Sequence, residues 1–367
     1  MTQTPHQLGF RMPAEWEPHE ATWLAWPHNA ETWPGKIDKV PVVWAAMIKA
    51  LAPHETVHVC VKDEAMARET QRVLSTGIPS SCVLDERSRG EDPSPPVEPR
   101  IIIHKIPTND SWIRDFGPIF VKNHSEVAMT DWIFNTWGGR WEPRPLDNAV
   151  PKIISEKFGI QRFETGLVLE GGSIDVNGEG LMLTTESCLL SPTRNPDLSR
   201  EQIEQKLNDF LGVKKVIWLQ EGIAGDDTSG HIDDIARFVN PNTIVCILEK
   251  DRSHKNYKIL KKNFELLEKA TDLSGKPLNV IPLPMPQPIP GPKGEGYEDD
   301  CIPASYANFY IANKVVLLPV FGQKTDEEAM KILQNCFPNR EVVGIPSSDL
   351  VWGLGGIHCV TQQQPCL

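Results

Sequence analysis

The sequence lacks the features of a membrane-spanning, a secreted and a nucleic-acid-binding protein. No apolar run among the 367 residues approaches the length of a membrane span. Residues 1–11 contain no apolar core of the kind found in signal peptides. The 37 basic residues are outnumbered by 49 acidic residues, a formal net charge of −12, which argues against nucleic acid and anionic membranes as partners. We therefore expect a cytoplasmic protein, and its acidity suits a cationic substrate.

The eight cysteines show neither a C-x-x-C motif nor the Cys-His spacing of a metal site. Seven of them are expected to be ordinary buried or surface residues. Cys359 differs because it directly follows Gly355-Gly356-Ile357-His358 near the C-terminus, where glycines permit tight turns and close approach of a ligand. A cysteine can act as a nucleophile when a base and substrate-holding groups lie nearby. Cys359 is therefore the first candidate catalytic residue.

A repeated order of strand, turn, strand, helix and strand predicts an α/β fold. The clearest hairpin joins residues 173–176 to 181–184 through an Asn-Gly turn. Further hairpins are predicted at 119–122 with 127–132, at 232–239 with 243–248, and at 308–311 with 315–319. A fifth unit forms if the C-terminal strands pair with residues 21–26. Units that recur at intervals of roughly 55 to 75 residues favour a closed, propeller-like ring.

Helices are predicted between these hairpins, at 38–52, 63–75, 147–158 and 255–270. Two further helices are expected to begin at capping boxes, in Ser199–Gln202 and Thr325–Glu328.

Two segments interrupt the repeated pattern. Residues 85–99 are charged and proline-rich, which predicts an exposed loop. Residues 282–297 are rich in proline and glycine and are not expected to form a regular element. A surface loop is the favoured interpretation of this second segment, and a lid or a subunit contact is the alternative.

His231 and Asp233 form one of three polar clusters at predicted strand ends. They are two residues apart on a predicted strand, so both side chains point to one face and can address one pocket. A histidine with a near-neutral pKa can pass a proton to a leaving group and then take one from water.

The second cluster contains Trp112 and Asp115, which lie one turn apart if the segment coils. An indole face beside a carboxylate can hold a planar cation. The alternative interpretation is a surface ion-pair network of Arg114 with Asp110 or Asp115.

In the third cluster, Glu170 precedes two glycines at another strand turn.

In a closed ring these strand ends converge on the central axis. One cavity would then be lined by Asp115, Glu170, His231, Asp233 and Cys359. Carboxylates without counter-ions repel one another and raise each other's pKa. A guanidinium, permanently charged and carrying five fixed donors, removes this penalty. The constellation therefore predicts a small cationic guanidine as substrate.

The chain resembles the agmatine deiminases, a family of the guanidine-modifying pentein superfamily. The resemblance extends over nearly the whole chain, through the segments 12–16, 23–27, 109–115, 135–139, 169–173, 230–233, 306–313 and 357–365. It implies a single domain over residues 1–367, a pentein-type five-bladed α/β propeller with pseudo-fivefold ββαβ repeats. One departure is Gly356, where plant-like members carry Asn.

The resemblance also implies hydrolysis of agmatine to N-carbamoylputrescine and ammonia, a step of putrescine and polyamine biosynthesis. Cys359 would form a covalent amidino-thioether, with His231 as acid and base. Asp115 and Asp233 would hold the guanidinium, and Glu170 would support the cation and hydrogen-bond with His231. No metal and no organic cofactor is implied.

Other substrate-binding residues are less sharply defined. Trp112, Asp227 and Gly356 are expected to contact the substrate, and either Asp226 or Asp227 could lie near its distal ammonium. Nearby carboxylates should raise the pKa of the Cys359 thiol above its ordinary value of about 8.5, and arrival of the cation should lower it.

Three alternatives remain open from the sequence. An arginine or peptidyl-arginine deiminase would use the same residues. A Cys-His-Asp hydrolase of amides or peptides would leave the convergent acids without a role. A catalytically silent, ring-shaped binding module would not need the cysteine and histidine. A homo-oligomer is also left open.

Overall fold

The computed structural model describes residues 3–75, 100–291 and 301–367. The loop predicted at 85–99 and part of the segment predicted at 282–297 lie outside these ranges. Among the described helices, none is long and apolar enough to cross a membrane.

Strands, mostly in hairpin pairs, and helices follow one another along the described chain. The strands are β1 (His19–Ala25), β2 (Thr56–Val61), β3 (Ile101–Lys105), β4 (Ile119–Lys122), β5 (Val127–Ile133), β6 (Gln161–Val168), β7 (Asp175–Val176), β8 (Leu181–Thr185), β9 (Lys215–Leu219), β10 (Ala236–Asn240), β11 (Thr243–Leu248), β12 (Asn279–Pro284), β13 (Tyr310–Ile311), β14 (Val315–Val320), β15 (Glu341–Pro346) and β16 (Gln362–Pro365). The helices are α1 (Val40–Leu51), α2 (Glu64–Ser75), α3 (Ile113–Phe116), α4 (Thr136–Gly139), α5 (Pro145–Asn148), α6 (Val150–Phe158), α7 (Glu186–Leu189), α8 (Arg200–Leu211), α9 (Tyr257–Glu268) and α10 (Lys324–Cys336). Short 3-10 turns occur at His6–Leu8, Ile37–Lys39, Gly171–Ser173, Ile232–Asp234, Val351–Gly353 and His358–Val360.

The strands form five small sheets, with the orders β16-β1-β2-β3, β4-β5-β6, β7-β8-β9, β10-β11-β12 and β13-β14-β15. In every sheet the first two strands are antiparallel, and the next pair is parallel. A parallel pair requires a crossover connection, which α1, α6, α8, α9 and α10 supply in turn. This arrangement confirms the predicted ββαβ repeats.

The two ends of the chain meet in one sheet. Strand β16 pairs antiparallel with β1, with Gln362 opposite Trp23, so the predicted fifth unit is confirmed. The first strands of neighbouring blades also contact one another, β16 with β4 and β7 with β10. The five blades therefore surround an axis as in a pentein-type propeller, and β3 is an additional outer strand of the first blade.

Tryptophans near α1 are part of a large buried apolar core. Trp33 and Trp44 are fully buried, and their rings meet edge to face. The Trp33 indole also lies against Trp112, with ring centroids 5.4 Å apart, and donates to the carbonyl of Leu350 at 2.9 Å. Because large aromatic side chains dominate core energetics, this cluster fixes the segment that carries Trp112.

The predicted helices are confirmed within a few residues, and the capping box of Ser199 with Gln202 is formed. The second predicted box is wrong. Helix α10 begins at Lys324 because Gln323, rather than Thr325, is the N-cap and exchanges hydrogen bonds with Asp326.

Several predicted strand boundaries are also wrong. Strand β7 begins at Asp175 rather than at 173, and β13 begins at Tyr310 rather than at 308. Residues 232–234 form a 3-10 turn, and the strand begins only at Ala236. Residues 282–284, predicted to lie outside any regular element, belong to β12. This strand is at the edge of its sheet, where a proline without an N–H group is tolerated.

Candidate active site

Four short turns place the predicted catalytic residues at equivalent positions of four blades. Each turn immediately precedes the first strand of its blade: α3 precedes β4, and the turns at 171–173, 232–234 and 358–360 precede β7, β10 and β16. On or beside these turns lie Asp115, Glu170, His231, Asp233 and Cys359. The structure therefore brings together chain segments that are separated by more than half of the sequence.

Gly172 lies where three of these side chains converge. A Cβ atom built on it would lie 2.6 Å from His231 Nδ1, 2.8 Å from Asp115 Oδ1 and 3.1 Å from Asp233 Oδ2. Its N–H group donates to Asp115 Oδ1 at 2.9 Å. The glycine is therefore required for the space that it leaves between the three polar groups.

Asp115 is buried and held at both carboxylate oxygens. Oδ1 accepts the Gly172 N–H, and Oδ2 accepts the indole N–H of Trp137 at 2.9 Å. Burial, followed by the charge of Asp233, raises the pKa of Asp115 well above its ordinary value, against the effect of the two hydrogen bonds. A cation bound beside Asp115 would stabilise the ionised carboxylate.

Asp233 belongs to a second layer of buried charges. His358 Nδ1 lies 2.7 Å from Asp233 Oδ2, and His358 Nε2 lies 2.8 Å from Glu15 Oε2. Burial opposes ionisation of Asp233, but the hydrogen bond and charge of His358 outweigh it and lower the pKa of the carboxyl. The pKa of Glu15 is likewise held well below its usual range, against its burial, by Arg237, His358 and Arg114.

Cys359 lies between this layer and the cavity. Its Sγ accepts a hydrogen bond from Asn308 Nδ2 at 3.2 Å and lies 3.7 Å from Asp233 Oδ2. Burial, then the charges of Asp233, Asp234 and Asp115, raise the pKa of the thiol well above its usual range. The direction agrees with the expectation from the sequence, so the free protein carries a neutral thiol.

His231 and Glu170 do not form the predicted hydrogen bond. Glu170 Oε1 accepts instead from Arg194 Nε at 2.9 Å, and both side chains are fully buried. Among the described residues, Glu170 Oε2 and both ring nitrogens of His231 have no hydrogen-bond partner. Burial lowers the pKa of His231 to about 3, although Asp233 opposes the shift. Arg194 occupies one oxygen of this buried carboxylate, and the other oxygen makes no hydrogen bond with the imidazole, so the prediction was wrong.

A cavity of about 80 Å³ opens onto the thiol. Its walls include three indoles and three acids, together with Cys359: Trp112, Trp137, Trp141, Glu31, Asp115 and Asp227. Of the five residues predicted to line one cavity, only Asp115 and Cys359 do so, and Glu170, His231 and Asp233 are not part of this lining. Asp227 accepts the Trp141 indole N–H at 2.7 Å, and burial, then Asp226, raises its pKa to about 6. Asp226 is not part of the lining and accepts from Thr228. Of these two aspartates, only Asp227 is therefore available to a ligand in the cavity.

Gly356 does not line the cavity, contrary to the prediction. A Cβ on Gly356 would lie 2.4 Å from Asn308 Oδ1, so this glycine makes room for the amide that contacts the Cys359 thiol. The neighbouring Gly355 does line the cavity. A Cβ on Gly355 would lie 2.4 Å from the Trp112 ring, so only glycine fits against this indole.

Six residues that hold the site were not among the candidates predicted from the sequence. They are Glu15, Trp137, Trp141, Arg194, Asn308 and His358. Trp137, Glu15, Asn308 and His358 lie in the segments that carry the resemblance, so a signal was present, whereas Arg194 had none. The surface network considered for Arg114 was wrong, because its guanidinium is buried and donates to Gln363 Oε1 at 2.7 Å.

Comparison with known proteins agrees with this geometry. A sequence model of the family described as Porphyromonas-type peptidyl-arginine deiminase matches residues 11–365. Agmatine deiminase of Medicago truncatula is 37% identical, with 100% of this chain and 99% of the relative covered.

Two solved structures extend the likeness to the fold. The agmatine deiminase of Enterococcus faecalis superposes with a TM-score of 0.88 at 36% identity, covering 100% of this chain and 98% of that one. A Cys-to-Ser form of C. jejuni agmatine deiminase with substrate bound gives a TM-score of 0.81 at 30% identity, covering 97% and 96%.

Proposed function

The chain belongs to the Porphyromonas-type peptidyl-arginine deiminase family, and we propose that it hydrolyses agmatine to N-carbamoylputrescine and ammonia. The observation that carries this proposal is a buried thiol 3.7 Å from one carboxylate, Asp233, in a cavity lined by a second, Asp115. Such a pocket suits a flat cation whose carbon faces sulfur. Relatives across the full length are agmatine deiminases, which fits a guanidine of this size.

Substrate binding would begin with the two carboxylates. Asp233 is already ionised through His358, whereas the raised pKa of Asp115 makes it the acid that gains most from a bound guanidinium. The indole of Trp112 offers an apolar and cation-binding wall. Arrival of the positive charge lowers the pKa of the Cys359 thiol, because the thiolate then has a counter-charge.

The chemistry would proceed through Cys359 in two stages. Neutral His231 takes the thiol proton while sulfur bonds to the guanidinium carbon, and then gives that proton to the departing nitrogen as the C–N bond breaks. Ammonia leaves, and an amidino-thioether remains on Cys359. In the second stage His231 takes a proton from water, and the hydroxide attacks the same carbon. The C–S bond then breaks, the proton on His231 returns to the sulfur of Cys359, and the ureido product is released as it gives its remaining proton to solvent.

Selection of agmatine over arginine would depend on Asp227. This acid lines the cavity and can pair with the distal ammonium of agmatine. Arg144 also lines the cavity, and it favours an arginine deiminase because it could meet an α-carboxylate. Its guanidinium, however, is already paired with Asp110. We therefore place agmatine first and free arginine second.

The test is ammonia and ureido-product release from agmatine, free arginine and an arginine-containing peptide, with Cys359→Ser as the control. We expect kcat/KM for agmatine to exceed that for arginine by roughly a hundredfold or more, and the serine variant to release no ammonia above background. Preference for arginine or for the peptide would overturn the substrate assignment. Equal ammonia release by the serine variant would overturn the catalytic role of the thiol.

A cytoplasmic location, a single domain over residues 1–367 and a homo-oligomer remain predictions. Independence from metals and organic cofactors also remains a prediction, which dialysis of the protein against a chelator before assay would check.

A further inference from the structure

Three buried side chains of different chemistry, one of them the proposed catalytic histidine, meet in one cluster. A ring nitrogen of His231, Cys188 Sγ and a carboxylate oxygen of Glu170 all lie within 4.8 Å of one another. Cys188 comes from α7, and the other two residues flank the turns at 171–173 and 232–234. No local motif could reveal this cluster, because its members come from three segments of the chain.

The cluster has unused donor atoms. Among the described residues, the two ring nitrogens of His231 and Oε2 of Glu170 have no hydrogen-bond partner. Both residues are at most 1% exposed. Arg194 occupies only the other oxygen of Glu170. Cys188 is a buried free thiol. Buried polar atoms normally have partners, so these orphaned atoms indicate a site that can accept another group.

We propose that Cys188, Glu170 and His231 form an inhibitory site for a thiophilic divalent cation of the zinc type. Thiolate, imidazole and carboxylate are the three ligand classes that zinc takes in proteins. With metal–ligand bonds of about 2.0–2.3 Å, the donors would need to approach one another by roughly 1 Å. Three protein ligands leave the fourth position of a tetrahedral site for solvent.

The surrounding charges favour a dication. The groups whose charges act on the Cys188 thiol are Glu170, Arg194, Asp226 and Asp115, of which three are acids and one is a base. Burial, then Glu170, raises the pKa of the thiol well above its usual range. The bound cation would displace the thiol proton to solvent, because the thiolate is the metal ligand. The affinity of this site for the divalent cation should therefore rise with pH.

Binding at this site would stop turnover without touching Cys359. His231 could no longer exchange a proton with the leaving group or with water, and Glu170 would be withdrawn from the cation site. This consequence rests on the proposed function, whereas metal binding itself does not. Removal of the cation by a chelator would restore activity.

The first experiment titrates Zn²⁺ into the agmatine assay with wild type, Cys188→Ala and a matched control, Cys246→Ala, which removes another fully buried free cysteine. We expect all three proteins to share the same activity before zinc is added. Zinc should inhibit wild type and Cys246→Ala alike, with at least a tenfold higher inhibitory concentration for Cys188→Ala. Equal inhibition of all three would overturn the proposal.

The second experiment reports binding without turnover, so it remains decisive if agmatine is not the substrate. Co²⁺ is added to the Cys359→Ser protein and to a Cys188→Ser/Cys359→Ser protein, and near-ultraviolet thiolate-to-cobalt absorption is recorded. We expect the band in the first protein and not in the second. Its absence from both proteins, or its presence in both, would overturn the assignment, since cobalt would then use Cys359 or another thiol.

Discussion

The thiol of Cys359 is surrounded by negative charge before any substrate arrives. Burial acts first on its pKa, and Asp233, Asp234 and Asp115 add to the rise. A standing thiolate–imidazolium pair is disfavoured as well, because the pKa of His231 is lowered to about 3. These two shifts make thiol activation depend on the cation.

Alkylation of Cys359 should therefore require strongly alkaline pH. We expect the rate of iodoacetamide modification, followed by mass spectrometry of the Cys359 peptide, to rise only above the ordinary thiol pKa of about 8.5. Asp233→Asn should shift the midpoint downward, because it removes the largest charge that disfavours the thiolate. The substitution Asp272→Asn, at a half-buried residue that is not among the charges acting on this thiol, serves as control and should leave the profile unchanged. A wild-type midpoint near neutrality would instead indicate a preformed Cys–His ion pair.

Asp227 offers a second test at a single residue. Its pKa is raised to about 6, so above that pH it presents a carboxylate to the distal ammonium. We expect Asp227→Asn to lower kcat/KM for agmatine about tenfold at pH 8, which corresponds to about 1.4 kcal/mol of binding. In wild type, kcat/KM for agmatine should also rise as the pH increases through 6.

Butylguanidine, which lacks the amine, is the control substrate for Asp227. Its turnover should be the same with wild type and Asp227→Asn. An equal loss with both substrates would show that Asp227 acts on the guanidinium end or on the structure of the cavity wall.

At the scale of elements, the turn α4 is the most constrained part of the site. Thr136, Trp137, Gly138 and Gly139 have φ values of 57°, 56°, 83° and 75°, all in the left-handed region. Asn135 stabilises the turn by accepting the Gly138 N–H at 2.8 Å. Two non-glycine residues in this region carry backbone strain. The turn aims the Trp137 indole at Asp115.

Two adjacent glycines of this turn allow a matched comparison. A Cβ on Gly138 would lie 2.2 Å from Thr193 Oγ1 and 2.4 Å from Arg194 Nη1, whereas a Cβ on Gly139 meets nothing within 4 Å. Both substitutions add a similar left-handed penalty of about 1–2 kcal/mol. We expect only Gly138→Ala to displace the turn and reduce kcat/KM for agmatine, by at least tenfold. If Gly139→Ala reduced activity equally, backbone strain rather than the clash would be responsible.

The histidine pair between β2 and β3 gives a pH prediction for stability. His58 Nδ1 lies 2.8 Å from His104 Nε2, and burial lowers the pKa of each to about 4. In the unfolded chain these groups have a pKa near 6.5. The unfolded state therefore binds more protons below pH 6.5, and the free energy of unfolding falls as the pH drops toward 4.

Urea unfolding of wild type and His104→Gln at pH 7, 6, 5 and 4 checks this expectation. The difference between the two proteins isolates His104 from carboxylates that titrate in the same range. We expect wild type to lose more stability than His104→Gln between pH 7 and pH 4. Parallel pH profiles would mean that His104 has an ordinary pKa in the folded protein.

At the scale of the whole molecule, the sequence was sufficient for the repeat but not for the second layer of the site. Strands marked by tight turns and helices marked by capping residues predicted the ββαβ unit, because each of these signals lies within a few residues of sequence. The side chains of Glu15 and Arg194 act on residues that are 343 and 24 positions away, His358 and Glu170. No local pattern encodes such a contact. The pairing of Glu170 with the buried Arg194 was missed for this reason.

Glu15 ties the N-terminal segment to several blades at once. Oε2 lies 2.8 Å from His358 Nε2, and Oε1 accepts the Ile311 N–H at 2.8 Å and lies 2.9 Å from Arg237 Nη2. Its neighbours Arg114 and Arg237 are both buried. Removal of one charge from a buried ion pair costs about 3–5 kcal/mol, because the partners remain buried without compensation.

We therefore expect Glu15→Gln to lower the free energy of unfolding by about 3 kcal/mol or more, measured by urea denaturation at pH 8. The control is Glu164→Gln, which removes an exposed partner of Arg162 and should change stability far less. The rate of agmatine hydrolysis should fall as well, because His358 would then stabilise the ionised form of Asp233 less. If Glu15→Gln were as stable as its control, the central charges would be satisfied without Glu15, and the ring would be held by its sheets and apolar core alone.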